Sequence, residues 1–218
     1  FMRAVGLPAL GCAQRWVAAR LPPPNVTGPR VAQAPPRPAA PQPKPAVARD
    51  TATASGPREW VPRVKPRDWQ WIVIHHSATP SGDAAQFDRM HKEKGWDELG
   101  YHFVIGNGTG SGDGQVEVGP RWPIQKHGAH AKTPDQRFNN YGIGICLVGN
   151  YQQRAPSAAQ MKSLERLVEF LMQECNIPPD RVVSHGGVTG KTACPGKLFP
   201  LARLRSQVSG VATASAYR

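Results

Sequence analysis

The chain has 218 residues, room for one medium-sized domain and an extension. Its formal net charge is +12, with ten Lys and Arg against only Asp50 and Glu59 in residues 1–66, so the basicity belongs mainly to the N-terminal part. No apolar run reaches the ~18 residues of a membrane helix. Cys12, Cys146, Cys175 and Cys194 form no CxxC pair and no short disulfide framework. Without aromatic interleaving or a nucleic-acid motif, the charge does not point to nucleic acid.

Residues 1–20 open with "FMRAVGLPALGC", a candidate signal or lipoprotein remnant. "ALGC" resembles a lipoprotein cleavage box with Cys12 as the lipidated residue. Ala9 stands where such boxes prefer Leu, so an incidental cysteine in an unstructured start is the preferred reading. Residues 21–66 are dense in Pro and Ala and poor in large apolar side chains. Such a segment buries too little to offset its ordering entropy, which predicts an extended basic linker. The folded part is expected to begin near Trp60 or Trp69, with the domain over 67–210 and a tail at 211–218.

Within the domain, "WIVIH" (71–75) is a β-branched run and predicts a buried strand. "DAAQFDRMHKEKGW" (83–96) places Phe87, Met90 and His91 at helical spacing, with Gly95 as the stop. "YHFVI" (101–105) and "QVEVG" (115–119) predict a hairpin across the turn-rich "NGTGSGDG". "IGICLVG" (143–149) predicts a second buried strand, with Cys146 as a small buried hydrophobe. The clearest helix is 157–175, where Ser157 and Gln160 form a capping box and Met161, Leu164, Val168 and Leu171 a stripe. "RVVSH" (181–185) predicts a short strand ending on a histidine, and "LFPLARLRSQV" (198–208) a last short helix. The sum is an α/β architecture, a central mixed sheet flanked by helices.

Two predicted strands thus end on histidines, at His75 and His185, and Cys194 follows His185 after nine residues. Imidazole nitrogen and thiolate are preferred zinc donors, and three protein ligands leave a fourth position open for chemistry. On spacing alone a structural role for these residues is the default. The surrounding words change that. "VIHHSAT", "GYHFVIG", "GAHA", "IGICLVGN" and "SHGG…TACPG" occur in this order. Together they resemble the zinc-dependent N-acetylmuramoyl-L-alanine amidases, the family of phage lysozyme-type amidases and peptidoglycan recognition proteins, over about residues 69–208.

The resemblance implies one zinc ion (Zn2+) held by His75, His185 and Cys194, with His76 on the other side of the strand end. It places Tyr101 beside the metal as a hydrogen-bond partner of the attacking water or the developing oxyanion. Thr192, two residues before the cysteine, follows the recognition-protein pattern rather than the lysine of phage members. The loop from His185 to Cys194 is one residue longer than the family pattern, an insertion that the glycines of "GGVTG" can absorb. His130 in "GAHA" aligns with a groove position, as a substrate contact or as a plain loop histidine. His102, His91 and His127 are expected to be non-catalytic. The implied activity is hydrolysis of the amide between N-acetylmuramic acid and L-alanine in peptidoglycan or a muropeptide. A monomer acting outside the cytoplasm is expected, whether secreted, periplasmic or attached to the envelope through the N-terminus. The main rival is a non-catalytic peptidoglycan-binding module, a class that commonly lacks the cysteine ligand. A structural zinc domain would need a fourth Cys or His ligand, and none has a compelling position.

Overall fold

The computed structural model describes residues 56–215, with side chains to 209. The candidate lipidation site Cys12 and most of the Pro-rich segment lie outside the described residues. Five strands form one mixed sheet in the order β3-β2-β4-β1-β5. They are β1 (Trp71–His76), β2 (Phe103–Ile105), β3 (Val116–Val118), β4 (Gly142–Leu147) and β5 (Val182–Ser184). β1 runs parallel to β4 and β5, and β2 is parallel to β4 but antiparallel to β3. The helices are α1 (Ala84–Glu93), α2 (Arg137–Asn140), α3 (Ala158–Cys175), α4 (His185–Thr189) and α5 (Leu201–Ser215). This is the α/β arrangement that the strand and helix periodicities predict.

The two-residue period of the strands divides the sheet into two unlike faces. Ile72, Ile74, Ile143, Ile145 and Leu147 are fully buried against Leu164, Leu167, Val168 and Leu171 of α3 and Leu204 and Val208 of α5. The alternate residues point the other way. Val73 joins Ala131 and Phe138 in one small cluster, and Cys146 joins Phe87, Leu99 and Val104 in another. His75, Gly142 and Gly144 belong to this second face by the same alternation. One face is therefore continuous core, and the other is interrupted by small and polar residues.

The predicted capping box is present, closed reciprocally by Ser157 and Gln160 on α3. A second cap, not among those expected, is Asp83, which accepts from the Gln86 N–H at 2.6 Å at the start of α1. Three boundaries differ from expectation. Strand β5 stops at Ser184, because Ser184 Oγ accepts from the Gly187 N–H and caps α4, of which His185 is the first residue. The last helix runs to Ser215 instead of 208, since Leu204 and Val208 anchor it and the Ala-rich sequence beyond contains no proline. Residues 56–66, grouped with the linker by composition, hold Trp60 at 5% exposure against Phe170, and the Trp60 carbonyl accepts from Trp122 Nε1 at 2.6 Å.

Candidate functional site

His75, His185 and Cys194 come together from three segments. His75 is the penultimate residue of β1, His185 follows the end of β5, and Cys194 lies on the loop after α4. Both histidines thus stand at carboxyl ends of parallel strands, where open α/β sheets bind ligands. The loop reaches back because Gly186 has no side chain. Its N–H donates to the Cys194 carbonyl at 2.7 Å, and a Cβ there would meet the Thr192 carbonyl oxygen. The candidate donor atoms of the three residues all lie within 4.8 Å of one another. His75 Nδ1 faces Cys194 Sγ at 3.9 Å, and the His75 and His185 rings are 4.5 Å apart.

The imidazole protonation states suit ligation. Burial, reinforced by His130, His185 and His76, holds His75 well below the ordinary imidazole range. Burial also lowers His185. Both rings are neutral near pH 7, as a metal ligand must be. Burial pushes the Cys194 thiol up to about 11, opposed by the His76 N–H, which donates to the sulfur at 3.4 Å. A cation would displace that proton, and the N–H would then serve the thiolate. Two nitrogens and one sulfur, two of the three residues buried, fit zinc better than the all-oxygen sets of magnesium or calcium.

His76 is separate from this group. Its Nδ1 accepts from the Tyr151 N–H at 3.0 Å, and its ring faces Tyr151. Tyr101 packs beside the first candidate ligand, its ring 5.1 Å from His75. Burial, with the thiols of Cys146 and Cys194 nearby, raises the Tyr101 hydroxyl well above its ordinary value, so it stays a donor. Thr192 is exposed, and its Oγ1 accepts from the Cys194 N–H at 3.2 Å, leaving the hydroxyl proton free to donate. His102 is fully buried and structural. Its Nδ1 accepts from the Gly144 N–H, and its Nε2 faces the Lys126 carbonyl. His91 accepts from the Gly100 N–H, and His127 is exposed.

A groove of about 540 Å³ opens beside these residues, lined by Trp96, His130, Lys132, Asn139, His185 and Thr192, among others. His130 borders it yet is only 8% exposed. Its Nδ1 lies 3.1 Å from His75 Nε2, and its Nε2 3.1 Å from the Gly142 carbonyl. Burial holds it down, to about 4.

Residues 65–197 match the family model described as N-acetylmuramoyl-L-alanine amidase, which is more than half of the chain. The chain belongs to the N-acetylmuramoyl-L-alanine amidase family. An N-acetylmuramoyl-L-alanine amidase of Sus scrofa is 30% identical over 146 residues, 61% of this chain but 23% of that protein. The endolysin of Escherichia phage T7 is 37% identical over 109 residues, 46% of this chain and 65% of its own length. The chain thus spans under a quarter of the pig enzyme and just under two thirds of the endolysin. Among solved structures, the amidase LysC from Clostridium intestinale superposes with a TM-score of 0.57 at 29% identity, covering 68% of this chain and 91% of that one. Relatives named peptidoglycan-recognition proteins also match, among them one of Holotrichia diomphalia at 28% identity over 139 residues, 60% of this chain and 68% of that protein.

Two neighbours of the site within this amidase-family domain carry no signal in the sequence pattern. Asn139 Oδ1 accepts from both the His130 and Ala131 N–H groups at 2.8 Å and fixes the "GAHA" turn. Arg121, 1% exposed, donates to the Leu99 and His127 carbonyls and to Asp97, tying the groove's Asp97 edge to the segment that follows β3. Both are polar residues inside loops without periodicity.

Proposed function

We propose that this chain is a zinc-dependent hydrolase that cleaves the amide between N-acetylmuramic acid and L-alanine of peptidoglycan or its fragments. The observation that carries the reading is the convergence of His75, His185 and Cys194, with donor atoms within 4.8 Å, beside an open groove. These three residues would hold the ion. Zinc in such a site supplies Lewis-acid activation of water and of the scissile carbonyl. The remaining work falls to the chain. Tyr101, kept protonated by burial, donates a hydrogen bond to oxygen on which negative charge develops. Thr192, pinned through Cys194 N–H, offers a second donor from the groove side. Trp96 and Lys132 border the groove in which the glycopeptide would lie.

The family and the amidases among the relatives support hydrolysis. The recognition proteins among them keep binding without cleavage as the rival. Retention of all three candidate ligands and of Tyr101 favours the enzyme. The deciding experiment combines metal analysis of the purified chain with digestion of purified muropeptides. One zinc per chain and release of stem peptides with a free L-alanine amino terminus are expected. Tight muropeptide binding with no new amino terminus would instead establish the rival.

A further inference from the structure

We propose that His130 is a positioning residue that locks His75 in the tautomer whose Nδ1 lone pair is bare and aimed at Cys194. The metal consequence of this inference rests on the zinc reading above; the hydrogen-bond chain itself does not.

The protons are fixed along one line of atoms. The Gly142 carbonyl can only accept, so His130 Nε2, 3.1 Å away, carries the hydrogen. A neutral imidazole has one N–H, so His130 Nδ1 is then an acceptor. That acceptor sits 3.1 Å from His75 Nε2, so the His75 proton must be on Nε2. The remaining nitrogen, His75 Nδ1, is left with its lone pair free, and it is the one facing Cys194 Sγ at 3.9 Å. Each step is forced by the one before it, and the chain begins at a backbone carbonyl that cannot titrate.

The surroundings are shaped to hold the His130 ring. A Cβ on Gly144 would lie 2.4 Å from His130 Cδ2, and a Cβ on Gly128 would lie equally close at 2.4 Å. The ring therefore occupies space that two glycines leave open, one on β4 and one on the preceding loop. From below, Asn139 Oδ1 fixes the backbone N–H groups of His130 and Ala131. This accounts for two of the sequence words together. The glycines of "GIGI" supply the carbonyl that orients His130 and the room it needs, and "GAHA" supplies the ring and its other wall. A residue whose two ring nitrogens are both engaged is poorly placed to recognise substrate as its main task.

The test has two parts on the full chain. In the metal-free protein at neutral pH, long-range proton–nitrogen NMR of the imidazoles should show His75 and His130 both as Nε2–H tautomers. A proton on His75 Nδ1 would overturn the proposal, whatever the variants do. Zinc affinity is then measured by chelator competition for the parent, His130→Ala and His130→Gln. Loss of an outer hydrogen-bond partner of a metal-bound histidine typically weakens binding about 10–100-fold, and His130→Ala should show that loss. His130→Gln should recover part of it, because a side-chain amide can donate to Gly142 and accept from His75 at once. Parent-like zinc affinity in His130→Ala, with only KM for muropeptide raised, would make His130 a substrate contact and sink the proposal. A parent that binds no zinc but shows the expected tautomers would overturn the metal reading while supporting the hydrogen-bond chain.

Discussion

At the scale of single residues, His75 and His76 show how neighbouring imidazoles acquire different work. Alternation along β1 sends their side chains to opposite faces. His75 reaches the second face, 1% exposed, while His76 turns to Tyr151 and accepts its N–H. His75→Ala and Cys194→Ala are expected to lose most bound zinc and all hydrolysis. His76→Ala should keep the metal and lose about 0.5–1.5 kcal/mol of stability, the usual net worth of one hydrogen bond. Metal analysis and urea unfolding check both; zinc loss on His76→Ala alone would mean the ligands are misassigned. Tyr101→Phe tests a different property. The phenol is a donor at working pH because burial keeps it protonated. Removing one oxyanion donor typically costs about 10²–10³ in turnover, so kcat should fall by that order while zinc content and KM hold. Thr192→Val should act more mildly, since Thr192 is exposed. An unchanged kcat in Tyr101→Phe would remove it from the chemistry.

At the scale of elements, the Gly144 position on β4 is informative because its neighbours Ile143 and Ile145 are fully buried on the other face. Gly144→Ala should leave the α3-side core intact and displace His130, so zinc affinity should fall more than stability. Equal losses of both would show that the strand itself had failed. The elements that were legible in the sequence are those with a strong local signal. "WIVIH" and "IGICLVG" are continuous apolar runs, buried along nearly their whole length, and the 157–175 helix has a 3.6-residue stripe and a capping box. What the sequence did not reveal has no period. Arg121, Asn139 and the placement of His130 depend on loops folding back over the sheet, which no local pattern encodes. The candidate ligand triad was suggested only through its motifs, because His75 and Cys194 are 119 positions apart. Trp60, one of the two expected starts of the folded part, is buried. A chain beginning at residue 56 should match the full chain in stability, whereas one beginning at 67 loses that burial. Truncation of a buried Trp costs about 3–5 kcal/mol, and a thermal or urea transition would read the difference. The Asp97 edge gives a pH prediction. Hydrogen bonding by Lys126, with Arg121 adding its charge, holds the Asp97 carboxyl down to about 2. A depressed folded-state value stabilises above the unfolded value of about 3.9 and is lost as pH falls from there through the folded value. Between about pH 4 and pH 2, Asp97→Asn should therefore lose less stability than the parent.

At the scale of the whole chain, half of the net charge lies apart from the candidate site. Residues 1–55 carry seven Lys and Arg against Asp50, while all the candidate site residues lie between 75 and 194. A soluble muropeptide needs only the groove, so its hydrolysis should be indifferent to removal of residues 1–55. Intact cell wall is an extended surface, and where it carries anionic polymer the basic segment adds attraction over many sites at once. Such attraction between exposed charges is screened over about 8–10 Å at physiological ionic strength. It should therefore weaken steeply with added salt, whereas the groove's own affinity should change little. Binding of the full chain and of a chain beginning at residue 56 to purified sacculi, measured from low to high salt, separates the two contributions. The full chain should bind more tightly at low salt, and the two should converge as salt rises. Parallel salt curves would assign the attraction to Lys132, Lys191 and other charges of the domain itself, leaving the basic segment without a part in wall binding.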